Sequence, residues 1–194
     1  VVVGSRAAAR GKECVLVTAA AGYGRTTWLE SFAARADGRY VSAIELVELG
    51  VDDVPPRLHA LAVDDLDELS AQRRTALLRE LAGLPASVRL VLASRRPLSA
   101  TARGLLRRSL IDRTAADLAL TPSTNARVLR DEHGVADTDV AELVHQLTGG
   151  WPALVHHAGD LLGRQAVDPS VLLPALARPG TPAAHWVESQ VLVE

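Results

Sequence analysis

The residues with the most chemical potential lie in one run, AAAGYGRTT, at positions 19–27. Gly22 and Gly24 permit close approach of the backbone to a ligand, Arg25 carries a permanent positive charge, and Thr26 and Thr27 offer hydroxyls. The spacing follows the phosphate-loop pattern GxxxxGK[ST] with two changes, since Ala19 stands at the first glycine and Arg25 at the lysine. Between a strand and a helix, such a run converges its backbone N–H groups and the helix N-terminus on phosphate oxygens, and it places the Thr26 hydroxyl on Mg2+. Gly22, Tyr23, Gly24, Arg25, Thr26 and Thr27 are therefore the candidate nucleotide-binding segment. An ordinary strand-to-helix turn with flexible glycines is the competing reading, and the run taken alone leaves the two about even.

A second segment separates them. In LAVDDLDEL an apolar strand ends in Asp64 and Asp65, which suits one carboxylate directed at a magnesium shell and another at an attacking water. Asp64 is the candidate metal residue and Asp65 the candidate catalytic one. Aspartate pairs also cap helices and decorate surfaces, so the weight comes from order along the chain. A glycine loop is followed by an Asp-terminated strand and then by LVLASRR, which would put Ser94 and Arg95 at the same carboxyl edge of a sheet, where open α/β folds bind ligands.

The elements that must position these residues read as an α/β core followed by helices. CVLVTA (14–19) is a strand, TTWLESFAARA (26–36) a helix, RYVSAIEL a second strand and ALAV before Asp64 a third. Ser70 precedes a helix through AQRRTALLRELAGL, and VRLVLASR is a buried strand. TARGLLRRSL reads as a helix, and DRTAADLAL closes with a short extended segment. From Thr121 onward the pattern is helical, each helix ended by Gly or Pro. The expectation is a parallel sheet flanked by helices over residues 1–120 and a small all-helical domain over 121–194.

Composition agrees with a globular protein of the cytoplasm. The 194 residues are 48% hydrophobic with a formal charge of −2, enough for a core and without a general pull toward polyanions. Cys14 is the single cysteine and lies in an apolar run, so it reads as a buried small hydrophobe. No apolar stretch reaches the roughly 18 residues of a membrane span. Of the 21 basic residues only Lys12 is lysine, a bias that fits a GC-rich bacterial source. The start at VVVGSR without methionine and the stop inside AHWVESQVLVE read as a piece of a longer protein. Arg103, Arg107 and Arg108 read as a solvated helical face, Trp151 and Trp186 as core or interface residues, with Trp151, beside Pro152, also a candidate to approach a nucleotide. Adjacent His156 and His157 cannot make an i, i+4 metal pair.

VLVTAAAGYGRTTWL, LAVDDLDEL, VRLVLASRRPL, DLALTPSTNARVL and LTGGWPALV, in that order, resemble the STAND-class signalling NTPases. The likeness is greatest to ATP-binding regulators of the maltose-activator type, which carry a LuxR-type DNA-binding domain. It implies ATP or ADP with Mg2+ between a P-loop domain and a helical domain, and a nucleotide-gated change from closed monomer to active oligomer. It implies further that Gly22, Gly24, Arg25 and Thr26 form the phosphate loop, that Asp64 and Asp65 are the Walker B pair, that Arg95 is the sensor arginine, and that Pro152 packs near the base. Partners would be other domains of the same regulator and a second copy, with no direct nucleic acid contact by this fragment and no membrane.

The sequence departs from that group at three points. Arg25 replaces a lysine, exchanging a compact ammonium for a planar fork. The connection VELGVDDVPPRLHA is short, so a flanking helix is expected to be missing. The residues before CVLV are too few for the upstream nucleotide-contacting segment of that group, and the DNA-binding regions are expected to lie outside this fragment. Two other classes therefore stay open: a degenerate P-loop domain serving as a protein-interaction scaffold, and a P-loop kinase. A dinucleotide fingerprint is disfavoured, because GYGRTTW lacks its third glycine.

Overall fold

The computed structural model describes residues 13–51, 58–163 and 168–176. Within these, residues 13–20 and 25–118 form a sheet unit, while Ala21–Gly24 belong with the helical residues from Ala119 onward. Lys12, Trp186 and the rest of the chain after Leu176 lie outside the described residues.

The sheet unit contains β1 (Glu13–Thr18), α1 (Arg25–Arg35), β2 (Arg39–Ser42), α2 (Ala43–Leu49), β3 (Ala60–Asp64), α3 (Ala71–Gly83), β4 (Arg89–Ser94), α4 (Ala100–Leu105), β5 (Ser109–Thr114) and α5 (Ala115–Leu118). Its five strands run parallel in the order β2-β3-β4-β1-β5. Alternation along the strands supplies both faces. Cys14, Leu16, Leu61, Val63, Leu90 and Leu92 pack with Leu77, Leu78 and Leu81 of α3. Val17, Ala62, Val91 and Ala93 pack with Leu29 and Ala33 of α1. The central strands consequently read as continuous apolar runs, the pattern of a sheet covered on both sides.

Two expectations are corrected. RYVSAIEL is not one strand: β2 stops at Ser42, whose side chain accepts a hydrogen bond from the Glu45 N–H and starts α2. The spacing S-x-x-E in SAIE is a capping signal that outweighed the apolar content. The connection to β3 therefore does hold a helix, built from residues read as strand. Likewise TARGLLRRSL is helical only to Leu105, and the final strand is Ser109–Thr114, ahead of the expected extended segment. β5 is a half-exposed edge strand with Asp112 and Arg113 in it, so it carries no clean apolar alternation. The expected arginine face dissolves accordingly. Arg103 forms a two-pronged bond to Asp112 at 2.7 Å, and Arg108 donates to the carbonyls of Leu84, Pro85 and Val88.

The helical unit holds α6 (Pro122–His133), α7 (Thr138–Thr148), α8 (Pro152–Gly163) and a short α9 (Leu172–Leu176). Leu129, Ala141, Val144, Val155, Ala158, Leu162 and Leu172 form its core. Thr121 caps α6 with Pro122 in its first turn, Gly134 closes it in the left-handed region, and Asp137 caps α7. In LTGGWP, Gly149 and Gly150 take φ of 59° and 74°, and Gly150 lies against the Leu120 backbone. That double turn reverses the chain into α8.

Burial pushes the Cys14 thiol up to about 12, which removes it from nucleophilic chemistry. The native chain should resist aromatic disulfide reagents and react with one equivalent only after denaturation. A Cβ at Gly38 would come within 2.5 Å of the Ala60 carbonyl oxygen. Gly38→Ala should lower unfolding stability in urea by about 1–3 kcal/mol.

Candidate functional site

Strand order separates the key residues before their side chains rejoin them. β4 lies between β1 and β3, so the ends of β1 and β3 stand two strand spacings apart, about 9–10 Å. The first turn of α1 crosses that gap. Thr26 Oγ1 donates to Asp64 Oδ2 at 2.8 Å, and Arg25 Nη2 donates to Asp65 Oδ1 at 2.8 Å. Arg25 Nη1 donates to the Ala19 carbonyl at 3.1 Å, closing the segment on itself.

Asp64 has no exposed surface, yet its carboxylate is well satisfied. Oδ2 takes the Thr26 hydroxyl, Oδ1 takes the Asp65 backbone N–H at 2.8 Å, and Arg25 Nη2 lies 3.8 Å from Oδ1. Asp65 sits in the left-handed region, φ 55° and ψ 42°, immediately before a 3₁₀ turn at Leu66–Glu68. Aspartate tolerates that conformation better than most residues, and strained backbone of this kind gathers at functional sites. Burial and the charge of Asp64 raise the Asp65 carboxyl above the usual carboxylate range, and Arg25 offsets only part of this. Two carboxylates thus share one guanidinium. The hydroxyl and carboxylate oxygens of Thr26 and Asp64 are the donor chemistry that Mg2+ takes, on the side of Asp64 away from Arg25, so the residues fit such an ion.

Arg95 follows β4 and is directed elsewhere. Its N–H donates to Asp67 Oδ1 at 2.8 Å, and its guanidinium lies 3.7 Å from Asp67 and 3.5 Å from Glu68. Thr27 is exposed on α1. Gly22 and Gly24 have φ of 78° and 73°, a backbone that glycine alone adopts readily.

The tip of the loop is engaged within the helical unit. Gly22 O accepts from the Ala153 N–H at 3.1 Å, and the Tyr23 ring stacks on Trp151 with centroids 5.2 Å apart and planes 9° from parallel. Pro152 occupies the first turn of α8 beside them in sequence. This attachment was not legible at the sequence level, since no spacing rule links position 23 to position 151. The partners of Arg95 were missed for a simpler reason: Asp67 and Glu68 read as surface charge.

A five-stranded parallel sheet with helices on both faces and a glycine loop between β1 and α1 is a P-loop NTPase fold. Among solved structures, two variants of RuvB from Thermotoga maritima, an AAA+ P-loop ATPase, are similar at 15% identity with TM-scores of 0.59 and 0.60. They match 88% of this chain, which spans 63% of theirs. A STAND protein with a tetratricopeptide repeat sensor from Pyrococcus horikoshii is similar at 14% identity and a TM-score of 0.52, over 81% of this chain and 28% of that one. No protein-family model matches the sequence, and no curated protein does.

Removing Arg25 leaves Asp65 without its partner in a half-buried setting. Arg25→Ala should lower unfolding stability by about 1–3 kcal/mol, below the cost of breaking a fully buried pair because Asp65 remains 26% exposed. In an Asp65→Asn background the same change should cost distinctly less, and a double-mutant cycle by chemical denaturation measures the difference.

Proposed function

We propose that this chain is the nucleotide-binding switch domain of a bacterial transcription regulator, one that takes ATP or ADP with Mg2+ and hydrolyses ATP slowly or not at all. The observation that carries this reading is the pairing of Arg25 with Asp65. One stands at the position of the phosphate-loop lysine and the other at that of the water-orienting carboxylate, so each group that turnover requires is occupied by the other. Ground-state binding depends on them far less, because β-phosphate contacts come mostly from backbone N–H groups of Gly22 to Thr26.

Thr26 and Asp64 would hold Mg2+, which when bound neutralises charge on the phosphate oxygens. Arg25 can leave Asp65 for a phosphate only by exposing that carboxylate unpaired, which opposes the rearrangement. Arg95 reaches a γ-phosphate in competition with Asp67 and Glu68, a natural way to make the domain sense which nucleotide is present. Pro152 is assigned to the neighbourhood of the base by family resemblance. Other domains of the same regulator, a LuxR-type DNA-binding part among them, would read out the nucleotide state, with self-association as the active form and the cytoplasm as the compartment. Among the described residues no helix is long and apolar enough to cross a membrane.

The scaffold reading draws on the same ion pair, taken as permanent. Nucleotide titration with and without Mg2+ separates the two, because a ligand that binds the folded state raises Tm by mass action. Millimolar ADP and ATP should raise it, and absence of any shift would favour the scaffold. Arg25→Lys should free Asp65 and increase phosphate release from ATP, with ADP affinity little changed, and adding Asp65→Asn should cancel the gain. Fast hydrolysis by the unaltered chain would refute the proposal.

A further inference from the structure

The helical unit holds a cluster that neither the phosphate loop nor the helical core requires. Glu132 and His133 end α6, and His156 lies on the second turn of α8. His133 Nε2 and His156 Nδ1 are 3.1 Å apart, and Glu132 Oε2 is 3.6 Å from His156 Nδ1. One ligand atom from each of the three residues falls within 4.8 Å of the others. Tetrahedral coordination with metal–nitrogen bonds of about 2.0–2.1 Å sets ligand nitrogens about 3.3 Å apart, close to the imidazole separation seen.

Two features show that this geometry is held in place. On the far side of His133, Nδ1 lies 3.3 Å from Asp160 Oδ1, one helical turn beyond His156 on the same helix. A carboxylate beside Nδ1 favours the tautomer whose Nε2 lone pair is directed at the cluster, and it is the usual outer partner of a metal-binding histidine. His133 is also backed by glycine. A Cβ at Gly159 would stand 2.5 Å from the His133 ring, and one at Gly163 would meet the His133 carbonyl oxygen. A helix-interior glycine such as Gly159 costs about 1 kcal/mol relative to alanine, so its place against the His133 ring marks a close approach that the fold maintains. The His133 side chain is 9% exposed and that of His156 is 44% exposed, which gives the cluster a rigid inner ligand and a solvent-facing outer one.

We propose that Glu132, His133 and His156 form a binding site for a divalent transition metal, Zn2+ by its donor set, that ties the end of α6 to α8. Two imidazoles and one carboxylate suit Zn2+ better than the all-oxygen preference of Mg2+ or Ca2+, and the fourth position faces water. The sequence signal of this site is weak, because His133 and His156 are 23 residues apart and no short ligand spacing announces them.

Metal-stripped full chain titrated with ZnCl2 should bind one equivalent saturably, with a rise in Tm that MgCl2 does not reproduce. Co2+ in its place should give visible d–d absorption. His156→Ala and Glu132→Gln, both at exposed side chains, should leave the metal-free Tm nearly unchanged while weakening Zn2+ by about tenfold or more and abolishing the Tm rise. Asp160→Asn should weaken binding by about 10–100-fold. No saturable Zn2+ binding, or one equivalent bound equally well by His156→Ala and Glu132→Gln, would overturn the proposal.

Discussion

A carboxylate with no exposed surface sets the terms at the carboxyl edge of this sheet. Asp64 ends β3 in full burial, where an unpaired ion would cost several kcal/mol, and three groups satisfy it. Thr26 comes from the first turn of α1, the Asp65 N–H from the next residue, and Arg25 from the start of the helix. Directing that N–H back at Asp64 coincides with the left-handed conformation of Asp65, and the same turn presents the Asp65 side chain to Arg25. The Ala19 carbonyl, the helix start and the acidic pair are thus one electrostatic unit.

Arginine at position 25 alters what such a unit does. A lysine would place one compact charge on a flexible stem, whereas the guanidinium fork bonds the Ala19 carbonyl and Asp65 together. The fork satisfies the site from within. It supplies charge where the two carboxylates need it.

The helical unit relies on backbone geometry where the sheet unit relies on charge. Gly149 and Gly150 turn the chain into α8, and Gly159 and Gly163 let that helix approach His133 closely. Ala153 N–H and Trp151, both placed by the turn, meet Gly22 and Tyr23. The tip of the glycine loop is therefore held by a turn that begins more than a hundred residues later.

Local rules made much of this legible in advance. β1, β3, β4 and most helices follow from apolar runs, caps and glycine stops, and the P-loop α/β class follows from the order of glycine loop, acidic strand end and arginine strand end. The break between β2 and α2 was also local, written in Ser42 and Glu45, but two tyrosine- and valine-rich positions concealed it. β5 was hidden because an edge strand is buried on too little of its surface to show alternation. What no window of sequence contains is pairing between distant positions: β4 inserted between β1 and β3, Arg25 turned onto Asp65, Tyr23 stacked on Trp151, His133 facing His156. Periodicity and capping are properties of neighbouring residues, so the chain carries them by itself. The direction of a long charged or aromatic side chain depends on which buried partner is left unsatisfied, and only the packed structure decides that.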